Sequence, residues 1–161
     1  MKIISSFAFV LLLVGCASQQ IDLNQPVKQV SVSNLNDEII KLHMKQKEEC
    51  MKPEYEPLRL KAPCSAKDVT FAQLADTTKI TDAQKSLFMK AAAVMDGYSK
   101  SITELYRQSG SSAGQKIADA RDWAYGQSNN NRLELVERKI TWGSYLKNRQ
   151  SIEQEMIKRT Q

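Results

Sequence analysis

Between Thr81 and Gln108 the apolar residues Leu87, Ala91, Val94, Tyr98, Ile102 and Leu105 recur at steps of 4, 3, 4, 4 and 3. Those are the steps of one face of a 3.6-residue helix, and Phe88, Met95 and Tyr106 widen the stripe. A strand changes face at every residue and could not gather these side chains on one side. Thr81 with Gln84 is a capping box, in which a hydroxyl and a carboxamide satisfy each other's exposed backbone N–H groups. Ser109-Gly110-Ser111 ends the run with the residue best suited to a left-handed terminus. An apolar stripe this long gains its stability from packing, so the rest of the chain must supply the faces that cover it.

Those faces are also written in helical period. Leu35, Ile39, Leu42 and Gln46 predict a helix over 34–50, with Asp37 and Glu38 in its first turn and Lys45 and Lys47 near its last. Thr70-Phe71-Ala72-Gln73 reads as a short capped turn. Ser112 with Gln115 opens a helix through Ile117, Ala120 and Ala124 to Gln127, and Ser128-Asn-Asn-Asn131 punctuates the chain. Asn131 with Glu134 starts a further helix carrying Leu133, Val136 and Ile140. Thr141 starts a last one, with Tyr145, Leu146, Ile152 and Met156 on its apolar face; Trp142-Gly143 either breaks that helix or sits in it. The alternation Val30-Ser31-Val32-Ser33 suits a short edge strand. The expected fold is mostly α, a small helical bundle over 34–161 with one disulfide-clipped, Pro-rich loop. A signal peptide (1–15) and a polar, flexible tether (16–33) precede it.

Ile3 to Val14 forms an apolar run of about a dozen residues behind Lys2, and the small residues Gly15, Ala17 and Ser18 surround Cys16. A membrane-spanning helix needs roughly 20 apolar residues, so this run is too short to be one. Leu13-Val14-Gly15-Cys16 resembles the lipobox of bacterial lipoprotein precursors. The resemblance implies cleavage before Cys16, a diacylglyceryl group on its sulfur, and a mature protein held to its membrane by acyl chains such as palmitate. Each buried methylene contributes ~0.8 kcal/mol, so two or more chains anchor stably. Ala17 stands where an Asp would favour retention at the inner membrane, so the resemblance places the domain at the outer membrane, facing the periplasm. The alternative is an ordinary signal peptide cleaved near Ala17.

With Cys16 given to lipid, Cys50 and Cys64 remain as a pair in an oxidising compartment, where disulfides persist. Pro53, Pro57 and Pro63 lie between them, ruling out a helix and favouring an extended or turning segment. Closing a loop of about 15 residues stabilises by ~3 kcal/mol in the chain-entropy view. The competing reading, a metal site, would want further Cys or His nearby, and His43 is the one histidine of the sequence.

The formal charge of +5 falls by one when Lys2 leaves with the signal segment. Basic and acidic residues alternate along most segments, unlike the basic, aromatic-bearing face of a nucleic-acid binder. His43, between Leu42 and Met44, has no G-x-S-x-G or S-x-x-K partner motif, and Ser86 to Lys90 has the wrong spacing for the latter. Glu48-Glu49, Glu54 with Glu56, and Glu153 with Glu155 are local pairs near opposite charge, not carboxylates facing across a cleft. The glycines are scattered singly. No catalytic residue, metal or cofactor is expected. Trp123, Tyr125, Trp142 and Tyr145 either pack the core or form a partner surface, large aromatics serving both ends.

The stretch from Lys139 to Arg149 is similar to an I-T-x-G-x-(aromatic)…R segment near the C-terminal end of various small, uncharacterised proteobacterial lipoproteins. It departs from them in having Arg138-Lys139 where a Gly often precedes the Ile, and it implies no activity. The expected function is that of a non-enzymatic, lipid-anchored envelope lipoprotein whose helical domain binds another envelope component, a protein. The alternative is an inhibitor or immunity-type lipoprotein that blocks a cell-wall hydrolase or similar enzyme.

Overall fold

A computed structural model describes residues 32–161. The signal segment, Cys16 and residues 17–31 of the tether lie outside the described residues. Six α-helices follow in order: α1 (Val32–Cys50), α2 (Glu56–Arg59), α3 (Phe71–Leu74), α4 (Asp82–Gln108), α5 (Ser112–Val136) and α6 (Trp142–Thr160). No strand occurs among the described residues, so the mostly-α reading holds. Residues Val32 and Ser33, read above as half of an edge strand, instead open α1 two residues before the expected start.

Local capping sets most boundaries. Thr81 caps α4 through a complete capping box with Gln84, and Thr70 caps α3 the same way with Gln73. Thr141 Oγ1 accepts from Ser144 N at 3.2 Å and starts α6. Trp142 and Gly143 therefore form the first turn of that helix and do not break it. Their amides, which a helix start leaves unpaired, donate to Thr78 O at 3.0 Å and to Asp76 O at 2.9 Å.

Two sequence readings are corrected. First, α5 is one continuous helix: Ser111, not Ser112, caps it, and Ser128 to Asn131 sits in its interior. Tertiary bonds hold that stretch helical. Asn131 is buried, its Nδ2 donating to Tyr145 O at 3.0 Å and its Oδ1 accepting from Asn148 Nδ2 at 3.0 Å. Arg132 next to it pairs with Asp96 of α4 at 2.8 Å. The helix propensity that Asn and Ser forfeit is only a few tenths of a kcal/mol per residue, too little to break the helix against these bonds. Second, the prolines do not rule out a helix between Cys50 and Cys64. Pro53 opens a 3₁₀ turn (Pro53–Tyr55) and Pro57 lies in the first turn of α2, where a missing N–H costs no helical bond.

The Cys50–Cys64 disulfide is formed, with Cα atoms 5.9 Å apart. It ties the end of α1 to the loop that follows α2. The core is split. The larger part joins Tyr55 and Leu58 of the clipped loop, Ile80, Phe88, Leu135, Trp142, Tyr145 and Leu146. Phe88, Trp142 and Tyr145 meet edge to face in all three pairings, with centroids 5.7–6.0 Å apart. The smaller part packs Leu35 and Ile39 of α1 on Ile102 of α4. The long stripe of α4 serves both, its N-terminal half one core and its C-terminal half the other.

Candidate functional site

Between the two cores the middle of α4 is not covered by large side chains of the described residues. Ala91, Ala92 and Met95 of α4, together with Ala124 and Ser128 of α5, form the floor of an open cleft of about 830 Å³. The second half of α1, the clipped loop and α6 wall it, with Ile152 and Met156 on the α6 side. The cleft exists because α4 and α5 present small residues where they cross, while α1 and α6 stand apart on either side.

Charged and polar side chains are set into this apolar surface. Arg121 of α5 is partly buried; its Nε donates to Thr103 Oγ1 at 3.1 Å and its Nη2 reaches Ser99 O and Oγ at 3.5 and 3.4 Å. Burial pushes its pKa down. His43 of α1 lies at the same end of the cleft, its pKa lowered by burial and then by the Arg121 charge, against a hydrogen bond with Gln46 that raises it. Arg132 is neutralised by Asp96, which also accepts from Tyr125 OH at 3.2 Å. Arg149 of α6 donates to Pro63 O and Cys64 O, both at 2.7 Å, and Arg59 donates to Cys50 O at 2.8 Å and Lys52 O at 2.6 Å. Those four bonds tie the disulfide to α6 and to α2.

The four aromatic candidates do not make one surface. Trp142 is fully buried and Tyr145 is 8% exposed, so neither serves as an outer partner surface; both are consumed by the aromatic cluster with Phe88. That is a correction, and its cause is the helix start: the capped first turn of α6 drives Trp142 straight into the core. Trp142 Nε1 is buried there with no hydrogen-bond partner among the described residues. Trp123 and Tyr125 stay partly exposed on opposite flanks of α5. The Arg159 guanidinium lies 4.2 Å from the Trp123 ring centre, in a shallow groove with Gln127 and Lys158, whereas Tyr125 lines the main cleft under Lys100 and Arg132. Tyr145 borders the cleft from below.

Arg121 was not singled out from the sequence, and Arg149 entered only as the last residue of the segment from Lys139, although a signal for both as cleft cations exists. Arg121 falls in step with Ile117 and Ala124 on the apolar face of α5, and Arg149 falls in step with Tyr145, Ile152 and Met156 on that of α6. A cation set into an apolar stripe marks a place where that stripe meets something other than core.

Among the described residues no group of three or more His, Cys, Asp and Glu is arranged to hold a metal ion, and no helix is long and apolar enough to cross a membrane. No family model, curated protein or solved structure matches this chain.

Proposed function

We propose that the protein is a non-enzymatic, lipid-anchored lipoprotein of the bacterial envelope, held by acyl chains on Cys16, whose helical domain docks on another envelope protein. The observation that carries the docking is a pair of bare apolar side chains beside the clipped loop. Phe71 is 87% exposed and Leu60 is 71% exposed. Gln73 Nε2 donates to Leu60 O at 3.0 Å, so the two segments are held together. Exposed apolar groups on neighbouring, bonded segments, unlike ones scattered singly, support a partner surface there. The Cys50–Cys64 bond supports an oxidising compartment, and the lipobox resemblance supports the anchor. The arginines of the cleft bond neutral oxygens or a paired carboxylate, an arrangement that suits holding and not activating a nucleophile.

The test is cross-linking of the full lipidated chain in cells, against a Leu60→Ser, Phe71→Ser variant. The expected result is a protein adduct that the variant loses while it stays anchored and melts at the same temperature. Recovery of the same adduct in equal yield from the variant overturns this surface. Failure of the wild-type chain to take up labelled palmitate overturns the anchor.

A further inference from the structure

The main cleft holds cationic and polar groups that the protein itself leaves incompletely matched. Arg121 meets only hydroxyl and carbonyl oxygens, with no carboxylate at ion-pair distance among the described residues. A partly buried guanidinium is normally paired, because its desolvation is otherwise uncompensated. His43 lines the same end of the cleft, and its protonation is opposed by burial and by Arg121. One anion between them would relieve both. The other charged groups lining the cleft are Lys47 on the same helix, Arg59 and Asp68, Asp96 of α4, already committed to Arg132 and Tyr125, and Arg149 and Glu153 of α6. Asp122, whose charge also acts on Arg121, is paired with Arg107.

A second observation stands at the other end. The Tyr145 side chain is more than nine-tenths buried, lines the cleft, and its hydroxyl makes no hydrogen bond among the described residues. The charges of Arg149 and Arg132 act on it. Arg121 and Arg132 lie about three turns apart on α5, so the two polar ends are separated by ~16 Å. Ala91, Met95 and Ala124 fill the interval, and methionine adapts well to flexible apolar chains. A volume of about 830 Å³ lies within the range of small-molecule sites.

We propose that this cleft binds an elongated amphipathic carboxylate, with its carboxylate between Arg121 and His43, its apolar chain over Met95 and Ala124, and a second oxygen at its far end on the Tyr145 hydroxyl. This site is separate from the Phe71–Leu60 surface and does not depend on it.

The test uses the full chain in phosphatidylcholine nanodiscs, titrated with dodecanoate, ω-hydroxydodecanoate, dodecanol and acetate. The lone histidine gives a single ring signal by NMR, which reports the Arg121 end. Dodecanoate is expected to shift that signal saturably and to raise the His43 pKa. Arg121→Met should weaken dodecanoate by tenfold or more, as loss of a charge-assisted bond implies about that factor. Tyr145→Phe keeps the ring packing, removes only the unmatched hydroxyl, and should leave dodecanoate unchanged while weakening ω-hydroxydodecanoate by roughly threefold or more. Dodecanol binding as tightly as dodecanoate, or acetate doing so, overturns the proposal. So does a Tyr145→Phe protein that binds both long-chain acids as the wild type does.

Discussion

Gly143 lies where the first turn of α6 crosses the backbone after α3. A Cβ added there would come 2.5 Å from Leu74 O and 2.7 Å from Asp76 O, both backbone atoms that cannot swing aside. Gly143→Ala should therefore push the 74–76 segment off the helix start, weaken the Gly143 N–Asp76 O bond, and cost about 1–3 kcal/mol in a urea melt. A wild-type midpoint would show that the segment yields freely. Arg138 presents the opposite case. It adopts a left-handed φ of 59° just after α5, where glycine would be unstrained, and is held there by Nε donating to Ile80 O at 3.0 Å. Arg138→Ala loses the bond and keeps the strain, whereas Arg138→Gly loses the bond and relieves the strain. The Ala variant should be the less stable of the two by about 1 kcal/mol. His43 gives a pH signature. Its folded-state pKa lies below the ordinary 6.5, so the unfolded chain binds the proton first as pH falls. The stability it confers is present above that value and is lost as pH drops through it toward the folded pKa. His43→Gln should flatten this part of a stability–pH profile, and an unchanged slope would place the dependence on another group.

At the scale of elements, how much could be read from sequence depended on whether local chemistry or distant partners set the outcome. Thr81 with Gln84 and Thr70 with Gln73 carry their own capping bonds, so α4 and α3 were legible from a few adjacent residues. Thr141 was legible for the same reason. Ser128 to Asn131 misled because what keeps it helical lies on α6 and α4: Tyr145 O, Asn148 and Asp96. The cleft left only one trace in the sequence, the cations set into the apolar faces of α5 and α6, since its lining comes from four long helices and the clipped loop. The stripe of α4 has one unbroken helical period in the sequence, yet it passes from core to cleft to core. Ile102 is fully buried against Leu35 and Ile39, whereas Met95 lines the cleft and Val94, beside the cleft lining, is 36% exposed. Ile102→Ala should cost ~2–5 kcal/mol through lost burial and a cavity. Val94→Ala should change stability by under about 1 kcal/mol, the higher helix propensity of Ala offsetting a small loss of burial. Equal effects in urea melts would mean that α4 packs with one continuous face and that the split core is wrong.

For the whole molecule, the Cys50–Cys64 bond acts on more than its own loop. The larger core takes Tyr55 and Leu58 from inside the closed segment, so the loop is a structural wall and not an appendage. Arg149 reaches from α6 to Pro63 O and Cys64 O, and Arg59 reaches back to Cys50 O, so the disulfide, α1, α2 and α6 are bound through one set of carbonyls. Opening the bond frees a segment of about 15 residues in the unfolded chain, worth ~3 kcal/mol in loop entropy. It also loosens the wall of the cleft. Cys64→Ser in the full chain should therefore lower the unfolding free energy by about 3 kcal/mol, and a reducing agent should do the same to the wild type. Cys64→Ser with Arg149→Met should lose less than the sum of the two single changes, because the arginine has less to clamp once the loop is free. Urea melts of the four proteins close the cycle. Strictly additive losses would show that the disulfide and the α6 arginine stabilise separate parts of the molecule, and that the clipped loop is not the strut joining α1 to α6.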